Sequence, residues 1–320
     1  VLAGIISDKP AYPAVVMAWF LFAVQDVAST AAAKLTRPRR ERMRDTFVPG
    51  PELVDGTARL AAMNLLLHGI GTPRVESLID VKDSLIADPG TRYTVVLSNP
   101  PFGRKSSLTM VGADGREARE DREIERHDFS ITTSNKQLNF LQHIATILAI
   151  NGRAAVVLPD NVLFEGGAGE TLRRRLLRDF DLHTMLRLPT GIFYAQGVKA
   201  NVLFFDKKPA GDRPWTEKLW VYDLRTNQHF TLKQNPLRRH HLDEFVNCYR
   251  PGGDRPEREQ PERFWPFPYA ETVHRDKTGR DTPTSCAGAL DAPAAPPART
   301  ATARACGPAA VDTSAPTARG

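Results

Sequence analysis

Short apolar runs alternate with amphipathic stretches between residues 47 and 207. Four of the runs are rich in Val, Leu or Phe and are bounded by Gly, Pro or Asn, so we predict strands at residues 94–97, 154–158, 184–188 and 201–205. A fifth candidate strand covers residues 219–222. Strands that alternate with helices build a mainly parallel sheet, and the predicted fold class is therefore α/β, with helices on both faces of the sheet.

Two of the amphipathic stretches are predicted helices. Residues 56–67 carry apolar and amide side chains at helical spacing, namely Leu60, Met63, Asn64 and Leu67. Residues 138–150 carry a stronger apolar stripe, namely Phe140, Leu141, Ile144, Ile147 and Leu148. We expect both stripes to face the core, because an amphipathic helix buries its apolar side.

The composition is that of a globular chain with a moderate positive charge. The 320 residues are 41% hydrophobic, which allows one large domain or two ordinary ones, and the net charge is +6. A net positive charge suits a polyanionic partner, but many basic proteins bind no nucleic acid. The cysteines are odd in number and lack metal-ligand spacing, so we expect free thiols in a reducing cytoplasm at Cys248, Cys286 and Cys306.

One apolar run, residues 14–24, is a candidate targeting segment. It is shorter than the roughly twenty residues that span a bilayer. Lys9 alone supplies basic charge before it, and Asp26 interrupts the approach to the small residues that follow. We therefore expect a buried helix here and no association with a membrane.

The most informative stretch is an apolar strand that ends abruptly in Asn99, Pro100, Pro101 and Phe102. The carboxyl ends of strands hold ligands in open α/β sheets. Two consecutive prolines fix φ and remove two backbone donors, so this loop presents carbonyl acceptors at a rigid position.

Such a loop suits the alkylation of an exocyclic amine such as that of adenine. The lone pair of this amine is delocalised into the ring, so an enzyme gains by accepting both amine hydrogens. The side-chain oxygen of Asn99 and the carbonyl of Pro100 could do this together, while Phe102 could stack on a base taken out of the duplex. The alternative is an ordinary proline-stiffened turn with Phe102 packed into the core.

The tetrapeptide resembles the catalytic motif of amino-methyltransferases that use S-adenosylmethionine. Its neighbours resemble the modification subunits of type I restriction-modification systems, an N-6 adenine-specific DNA methylase family. The stretches that carry the likeness agree with that family in order and spacing; they are residues 52–54, 57–65, 67–70, 83–85, 151–159, 191–193 and 199–205. The likeness covers residues 47–277 and implies a Rossmann-like methyltransferase fold.

The resemblance implies roles for two carboxylates in binding S-adenosylmethionine. Glu52 would accept hydrogen bonds from the ribose hydroxyls, Asp83 would accept one from the adenine amine, and Asn99 would adjoin both cofactor and target base. Glu52 can also be read as a charge favoured at a helix N-terminus, and Asp83 as a helix cap. The resemblance implies no metal.

Further residues match the family's target-base pocket. Polar contacts and an aromatic wall are implied for Lys136, Gln137, Asn139, Phe193 and Tyr194. A solvated helix start and two aromatics that cap the sheet edge would explain the same residues. Basic clusters at residues 173–175 and 238–241 are candidates for phosphate contacts or for solvated helix faces.

The chain departs from the family where a glycine-rich loop cradles the methionine end of the cofactor. The corresponding residues 8–21 contain none of the glycines, which let the backbone approach a ligand. We therefore expect this chain to bind S-adenosylmethionine weakly or not at all. We divide the chain into a degraded cofactor-loop region with the first helix (1–46), a catalytic core (47–207), an extension of that core (208–281) and a disordered low-complexity tail (282–320).

The implied reaction is direct methyl transfer from S-adenosylmethionine to the exocyclic amine of adenine in double-stranded DNA, with no covalent enzyme intermediate. The implied partners are a specificity subunit, a restriction nuclease subunit and a second modification subunit. Two other functions stay open. The missing glycines favour a catalytically inactive remnant that acts as a DNA- or subunit-binding scaffold. The second alternative is a free-standing methyltransferase that acts on RNA or protein. The family-like stretch at 151–207 argues against this alternative.

Overall fold

The structure is a computed structural model of the chain. It describes residues 36–38, 50–67, 71, 79–100, 102, 107–111, 117–121, 123–193, 197–225, 230–231, 234–250, 258–259 and 261–274. Several predictions fall outside these residues: the glycine-poor stretch at 8–21, the buried helix at 14–24, Pro101, Tyr194, Cys286, Cys306 and the tail at 282–320.

Strands and helices alternate along most of the described chain. The strands are β1 (Gly50–Glu52), β2 (Ile79–Val81), β3 (Tyr93–Ser98), β4 (Ser107–Val111), β5 (Glu117–Asp121), β6 (Leu148–Pro159), β7 (Phe180–Leu188), β8 (Ala200–Lys207), β9 (Lys218–Asp223) and β10 (Phe264–Pro268). The helices are α1 (Asp55–Leu67), α2 (Lys136–Ile147), α3 (Asp160–Phe164), α4 (Ala168–Asp179), α5 (Asp243–Tyr249) and α6 (Tyr269–His274), with a 3₁₀ helix at Arg239–Leu242.

A six-stranded sheet in the order β10-β9-β7-β8-β6-β3 contains most of the strands. Four of them, β3, β6, β7 and β9, run in the same direction, while β8 and β10 run in the opposite direction. All five strands predicted from the sequence lie within this sheet. The α/β fold class is thereby confirmed. The sheet is mixed rather than mainly parallel, because two of its five strand pairings are parallel and three are antiparallel.

The register of the sheet places helices on both of its faces. Met185 of β7 pairs with Leu203 of β8 on one side and with Val221 of β9 on the other, and all three belong to the core cluster that includes α2 and α4. The next residues along these strands point to the other face of the sheet, where a second cluster includes Leu186, Tyr222 and residues of α5. Each fully buried aliphatic or aromatic side chain in these clusters contributes about 1.5–3 kcal/mol.

The prediction for the buried face of α1 is wrong. Its buried residues are Thr57, Ala58, Ala61 and Leu65. The predicted stripe faces outward instead, with Leu60, Met63 and Leu67 exposed by 53%, 59% and 83%. Small side chains allow the helix to approach β1 and β2 closely, so the buried face is defined by size rather than by hydrophobicity.

The prediction for α2 holds along the helix but not at its end. Phe140, Leu141, Ile144 and Ile147 are buried as expected. Residues 148–150 already belong to β6, because the helix ends at Ile147 with Leu148 as an extended C-cap residue. The last predicted helical turn is therefore a strand.

Part of the chain after residue 208 joins the central sheet directly. β9 pairs in parallel with β7, and β10 pairs antiparallel with β9 as the edge strand. Among the described helices, none is both long enough and apolar enough to cross a membrane.

Candidate active site

The Asn-Pro-Pro-Phe motif follows β3 at one edge of the six-stranded sheet. Ser98 is the last residue of the strand, and both it and Pro100 are buried. β3 pairs in parallel with β6, with Ser98 opposite Val156. Asn99 therefore lies at the end of the sheet where β6 and β7 also end, which is the ligand-binding edge of an open α/β sheet.

Asn99 presents an unused hydrogen-bond acceptor at this edge. Its Oδ1 is buried and has no hydrogen-bond partner in the described part of the chain, and the same is true of Ser98 Oγ. Buried polar side-chain atoms are usually paired, so an unpaired amide oxygen marks a position that a ligand donor can fill. The hydrogen of an exocyclic amine is such a donor.

Two of the aromatic residues singled out from the sequence, Phe102 and Phe193, contact each other. The ring centroids of Phe102 and Phe193 lie 5.2 Å apart with an interplanar angle of 76°, which is an edge-to-face pair. Both rings are partly buried against a cluster that contains Leu188 and Ala200. Phe102 is thus neither fully tucked into the core nor fully exposed, and it keeps surface available for a further ring.

A glycine turn fixes the position of Phe193. Gly191 has φ +85°, and a Cβ at this position would lie 2.1 Å from the backbone oxygen of Phe230. Phe230 is itself buried and packs edge-to-face on His241. The turn therefore requires glycine both for its left-handed conformation and for the close approach of a neighbouring backbone.

The two carboxylates predicted to hold the cofactor lie together at the ends of adjacent strands. β1 and β2 are parallel, Glu52 pairs with Val81, and the backbone N of Lys82 donates to Glu52 O at 3.0 Å. Asp83 follows directly, and its Oδ1 accepts from Leu85 N at 2.8 Å. This bond caps a turn, whereas the alternative interpretation was a helix cap and no helix follows here. It leaves the other carboxylate oxygen available.

Glu52 fits a ligand that carries hydroxyl groups. The residue is 2% exposed, its Oε1 accepts from Val54 N at 2.9 Å, and its Oε2 is buried without a partner among the described residues. Burial raises the pKa of this carboxyl, although the bond from Val54 opposes the effect. A diol that donates to Oε2 would satisfy the orphaned atom, so the residues present fit the ribose of S-adenosylmethionine.

The polar residues at the start of α2 make structural contacts. Gln137 Oε1 accepts from Asn161 Nδ2 at 2.9 Å. Asn139 Nδ2 donates to Thr133 O at 2.8 Å, while Asn139 Oδ1 is buried without a partner among the described residues. Gln137 and Asn139 are therefore not a solvated helix start, because both are buried.

Sequence reasoning missed a polar pair at the same edge of the sheet. Asn201, fully buried near the start of β8, donates from Nδ2 to Asp160 Oδ1 at 2.5 Å. Asp160 in turn donates its backbone N–H to Lys199 O. A signal was present, since Asn201 is an amide within an otherwise apolar predicted strand.

The two basic clusters are largely engaged within the protein. Arg173 is buried and donates to Val162 O at 2.8 Å, while its neighbours form ion pairs along α4, Arg174 with Glu170 and Arg175 with Asp179. In the second cluster Arg239 pairs with Asp243. Arg173 is thus neither on a solvated face nor free for phosphate.

Metal ligands and reactive thiols are not apparent in the described part of the chain. No group of three or more His, Cys, Asp or Glu side chains suited to a metal ion occurs among those residues. Cys248 is a free, partly buried thiol, and burial raises its pKa. It has the environment of a packing residue rather than of a nucleophile.

Comparison with known proteins gives a consistent picture. The model of the N-6 DNA Methylase family matches residues 13–277 of the chain. The chain is 45% identical over 236 residues to the type I restriction enzyme EcoKI methylase subunit of Escherichia coli K12, covering 71% of this chain and 41% of the relative. It is 35% identical over 165 residues to the EcoEI methylase subunit of Escherichia coli, covering 51% and 30%.

Solved structures agree with this likeness. The crystal structure of the EcoKI M protein superposes with a TM-score of 0.62 at 40% identity, covering 78% of this chain and 49% of that one. A modification subunit from Vibrio vulnificus YJ016 superposes with a TM-score of 0.60 at 28% identity, with the same coverage. The chain spans less than half the length of these relatives.

Proposed function

Since the chain belongs to the N-6 DNA methylase family, we propose that it carries the catalytic part of an adenine-specific DNA methyltransferase. It transfers a methyl group from S-adenosylmethionine to the exocyclic amine of adenine in double-stranded DNA. The observation that carries the proposal is the buried, unpaired Oδ1 of Asn99 at the carboxyl end of β3. This acceptor can take one of the two N–H hydrogens of an adenine amine that enters the site.

Asn99 and Pro100 polarise the target amine. The amide oxygen and the proline carbonyl accept one amine hydrogen each, which returns electron density to the nitrogen. Both acceptors are neutral, so they orient the amine and leave the departing proton to water. Phe102 and Phe193 form the aromatic wall on which the extruded base stacks, an interaction typically worth about 1–3 kcal/mol per base.

Glu52 and Asp83 hold the cofactor. Glu52 Oε2 accepts from the ribose hydroxyls, and the Asp83 oxygen not used by Leu85 accepts from the adenine amine of the cofactor. When bound, S-adenosylmethionine would supply a methyl group on a positively charged sulfur. Transfer would exchange one C–S bond for one C–N bond and release one amine proton to water, which balances without a metal or a covalent enzyme intermediate.

The relatives suggest the setting in which the reaction occurs. The EcoKI and EcoEI proteins are methylase subunits of type I restriction enzymes. We place this chain in an assembly of that type in the cytoplasm, with a specificity subunit, a nuclease subunit and a second modification subunit as partners. The specificity subunit would then select the DNA site.

The test is methyl incorporation from labelled S-adenosylmethionine into DNA, RNA and protein, with and without a specificity subunit from a related system. Because residues 8–21 lack the family's glycines, we expect little label for this chain. Any label should lie in adenine of DNA and be lost in Asn99→Ala. Asn151→Gly is a matched control, because Asn151 is exposed at the opposite end of the sheet with φ 62°. Folded protein that retains DNA binding but incorporates no label would instead support the inactive-scaffold alternative.

A further inference from the structure

Arg126 lies at the centre of a buried polar cluster in the segment between β5 and α2. Its side chain is only 3% exposed. The guanidinium makes a two-point contact with Asp128, with Nε–Oδ1 at 3.0 Å and Nη2–Oδ2 at 2.7 Å. It also stacks over the ring of Phe129 at 4.2 Å. The third nitrogen, Nη1, is directed elsewhere.

Nη1 joins α2 to the turn that carries Asp83. It lies 3.2 Å from His143 Nδ1 and donates to the backbone carbonyl of Ser84 at 3.2 Å. Ser84 immediately follows Asp83, and it is separated from Arg126 by more than forty residues along the chain. One side chain therefore connects the cofactor-side turn to a helix of the central core.

The two side chains of the support, His143 and Asp128, differ in charge at physiological pH. Burial first, and the charge of Arg126 second, lower the pKa of His143 to about 4, so the imidazole is uncharged and its Nδ1 can accept. Thr146 Oγ1 donates to Asp128 Oδ2 at 2.7 Å from the next turn of α2. The carboxylate is thus held from two sides.

The turn itself is fixed by one apolar and one polar contact. Leu85 is 4% exposed and packs with Phe140 of α2 and with Ile124 and Phe129. The amide of the same Leu85 donates to Asp83 Oδ1 and so defines the direction of the carboxylate. The Arg126 bond to Ser84 O restrains the peptide group that joins Ser84 to Leu85.

We propose that Arg126 is a positioning residue of the cofactor site, which holds the Ser84 carbonyl and thereby fixes the carboxylate of Asp83. The proposal rests on the proposed function, because it takes Asp83 to be the acceptor for the cofactor's adenine amine. Burying a guanidinium is expensive, and an apolar side chain would fill the same space at lower cost. The planar fork is needed because it reaches Asp128 on one edge and the turn carbonyl on the other, which lysine cannot do.

The first experiment measures hydrogen exchange of the backbone amides at Leu85 and Ile86 in the full chain. We expect Arg126→Met to accelerate this exchange by roughly tenfold or more, since a hydrogen bond to a charged group is lost. Arg258→Met is the matched control. Arg258 is also buried, donates to the carbonyls of His183 and Tyr249, and stacks on aromatic rings, but it lies away from this turn. It should lower the melting temperature without changing exchange at Leu85.

A pair of His143 variants distinguishes the loss of this contact from general misfolding. Glutamine at this position keeps an acceptor for Nη1, whereas leucine does not. We expect exchange at Leu85 to stay near the wild-type rate in His143→Gln and to rise in His143→Leu. Equal exchange at Leu85 in Arg126→Met and Arg258→Met, or in the two His143 variants, would overturn the positioning role.

The second experiment titrates wild type and variants with S-adenosylmethionine and with adenosine. Arg126→Met is expected to weaken binding by about tenfold or more, and Arg258→Met to leave it unchanged. If the wild-type chain binds neither ligand, as the lack of glycines at residues 8–21 would allow, this chain is the inactive scaffold and the proposed activity fails, while the exchange experiment still decides the role of Arg126. If binding is unchanged in Arg126→Met, the link from Arg126 to the cofactor is refuted.

Discussion

Replacing Glu52 by Gln should stabilise the ligand-free chain and weaken its response to S-adenosylmethionine. The carboxylate is 2% exposed, and its Oε2 has no partner among the described residues. An unsatisfied buried oxygen of this kind costs about 1–3 kcal/mol. Gln keeps the acceptor for Val54 N and puts a neutral amide nitrogen in place of Oε2, so the gain comes from removing the buried charge. We expect about 1 kcal/mol, or about 2–4 °C in melting temperature.

The pH dependence of the gain has a definite sign. Because burial raises the pKa of Glu52 above its usual 4.5, the folded chain binds this proton more tightly than the unfolded chain does. The stability that protonated Glu52 contributes is therefore lost as the pH rises from about 4.5 through the raised pKa. The advantage of Glu52→Gln should appear over the same window and persist at pH 7.

The assay is urea unfolding of wild type and Glu52→Gln between pH 4 and 8. Glu170→Gln is a surface control, because the Glu170 ion pair with Arg174 is exposed and should contribute about 0–1 kcal/mol. Thermal shifts with S-adenosylmethionine complete the comparison, and any shift seen for wild type should shrink in Glu52→Gln. A variant that is less stable than wild type at pH 7 would mean that the carboxylate is paired, and the reasoning would be wrong.

Three further predictions concern stability. Gly191→Ala should lower the unfolding free energy in urea by more than about 2 kcal/mol, since it combines φ +85° with a backbone clash. Gly90→Ala, at φ +73° in open space, should lower it by about 1 kcal/mol, and equal losses would contradict this reasoning. Because the pKa of His143 is lowered to about 4 in the folded chain, wild type should lose about 3 kcal/mol of unfolding free energy as the pH falls from 6.5 to about 4. His143→Gln should lack this part of the loss. Leu67→Glu should change stability by about 0.5 kcal/mol or less, whereas Leu65→Glu should unfold much of the chain, as circular dichroism would show.

The sequence was a good guide wherever one physical signal dominated. The five predicted strands are dense in branched and aromatic residues, and burial on both faces leaves little room for another interpretation. β10 was not predicted, because Pro266 and Pro268 argue against a strand. It is an edge strand, where a missing N–H can face away from the ladder, so the prolines are tolerated.

The buried face of α1 and the Arg126 cluster could not be predicted for different reasons. The helix buries Thr57, Ala58 and Ala61 because close packing selects small residues there, a preference that an apolar stripe does not report. Arg126 and Ser84 meet through tertiary structure alone. No local spacing marks an arginine as the partner of a distant carbonyl, so such contacts emerge only when the elements are assembled.

The buried side-chain oxygens that have no partner in the described part of the chain are not scattered. They belong to Glu52, Ser98, Asn99, Asn139 and Asn201. Ser98 and Asn99 lie where β3 ends, Asn201 where β8 begins and Asn139 in the first turns of α2, which is one edge of the six-stranded sheet. Glu52 lies at the carboxyl end of β1, beside the turn that carries Asp83. Each unpaired oxygen costs about 1–3 kcal/mol, and the unfolding free energy of a protein is only about 5–15 kcal/mol, so together they would be strongly destabilising. A chain selected for stability alone would fill these positions with apolar side chains, so the concentration of all but Glu52 at one edge is the physical mark of a site whose ligands complete the hydrogen bonding.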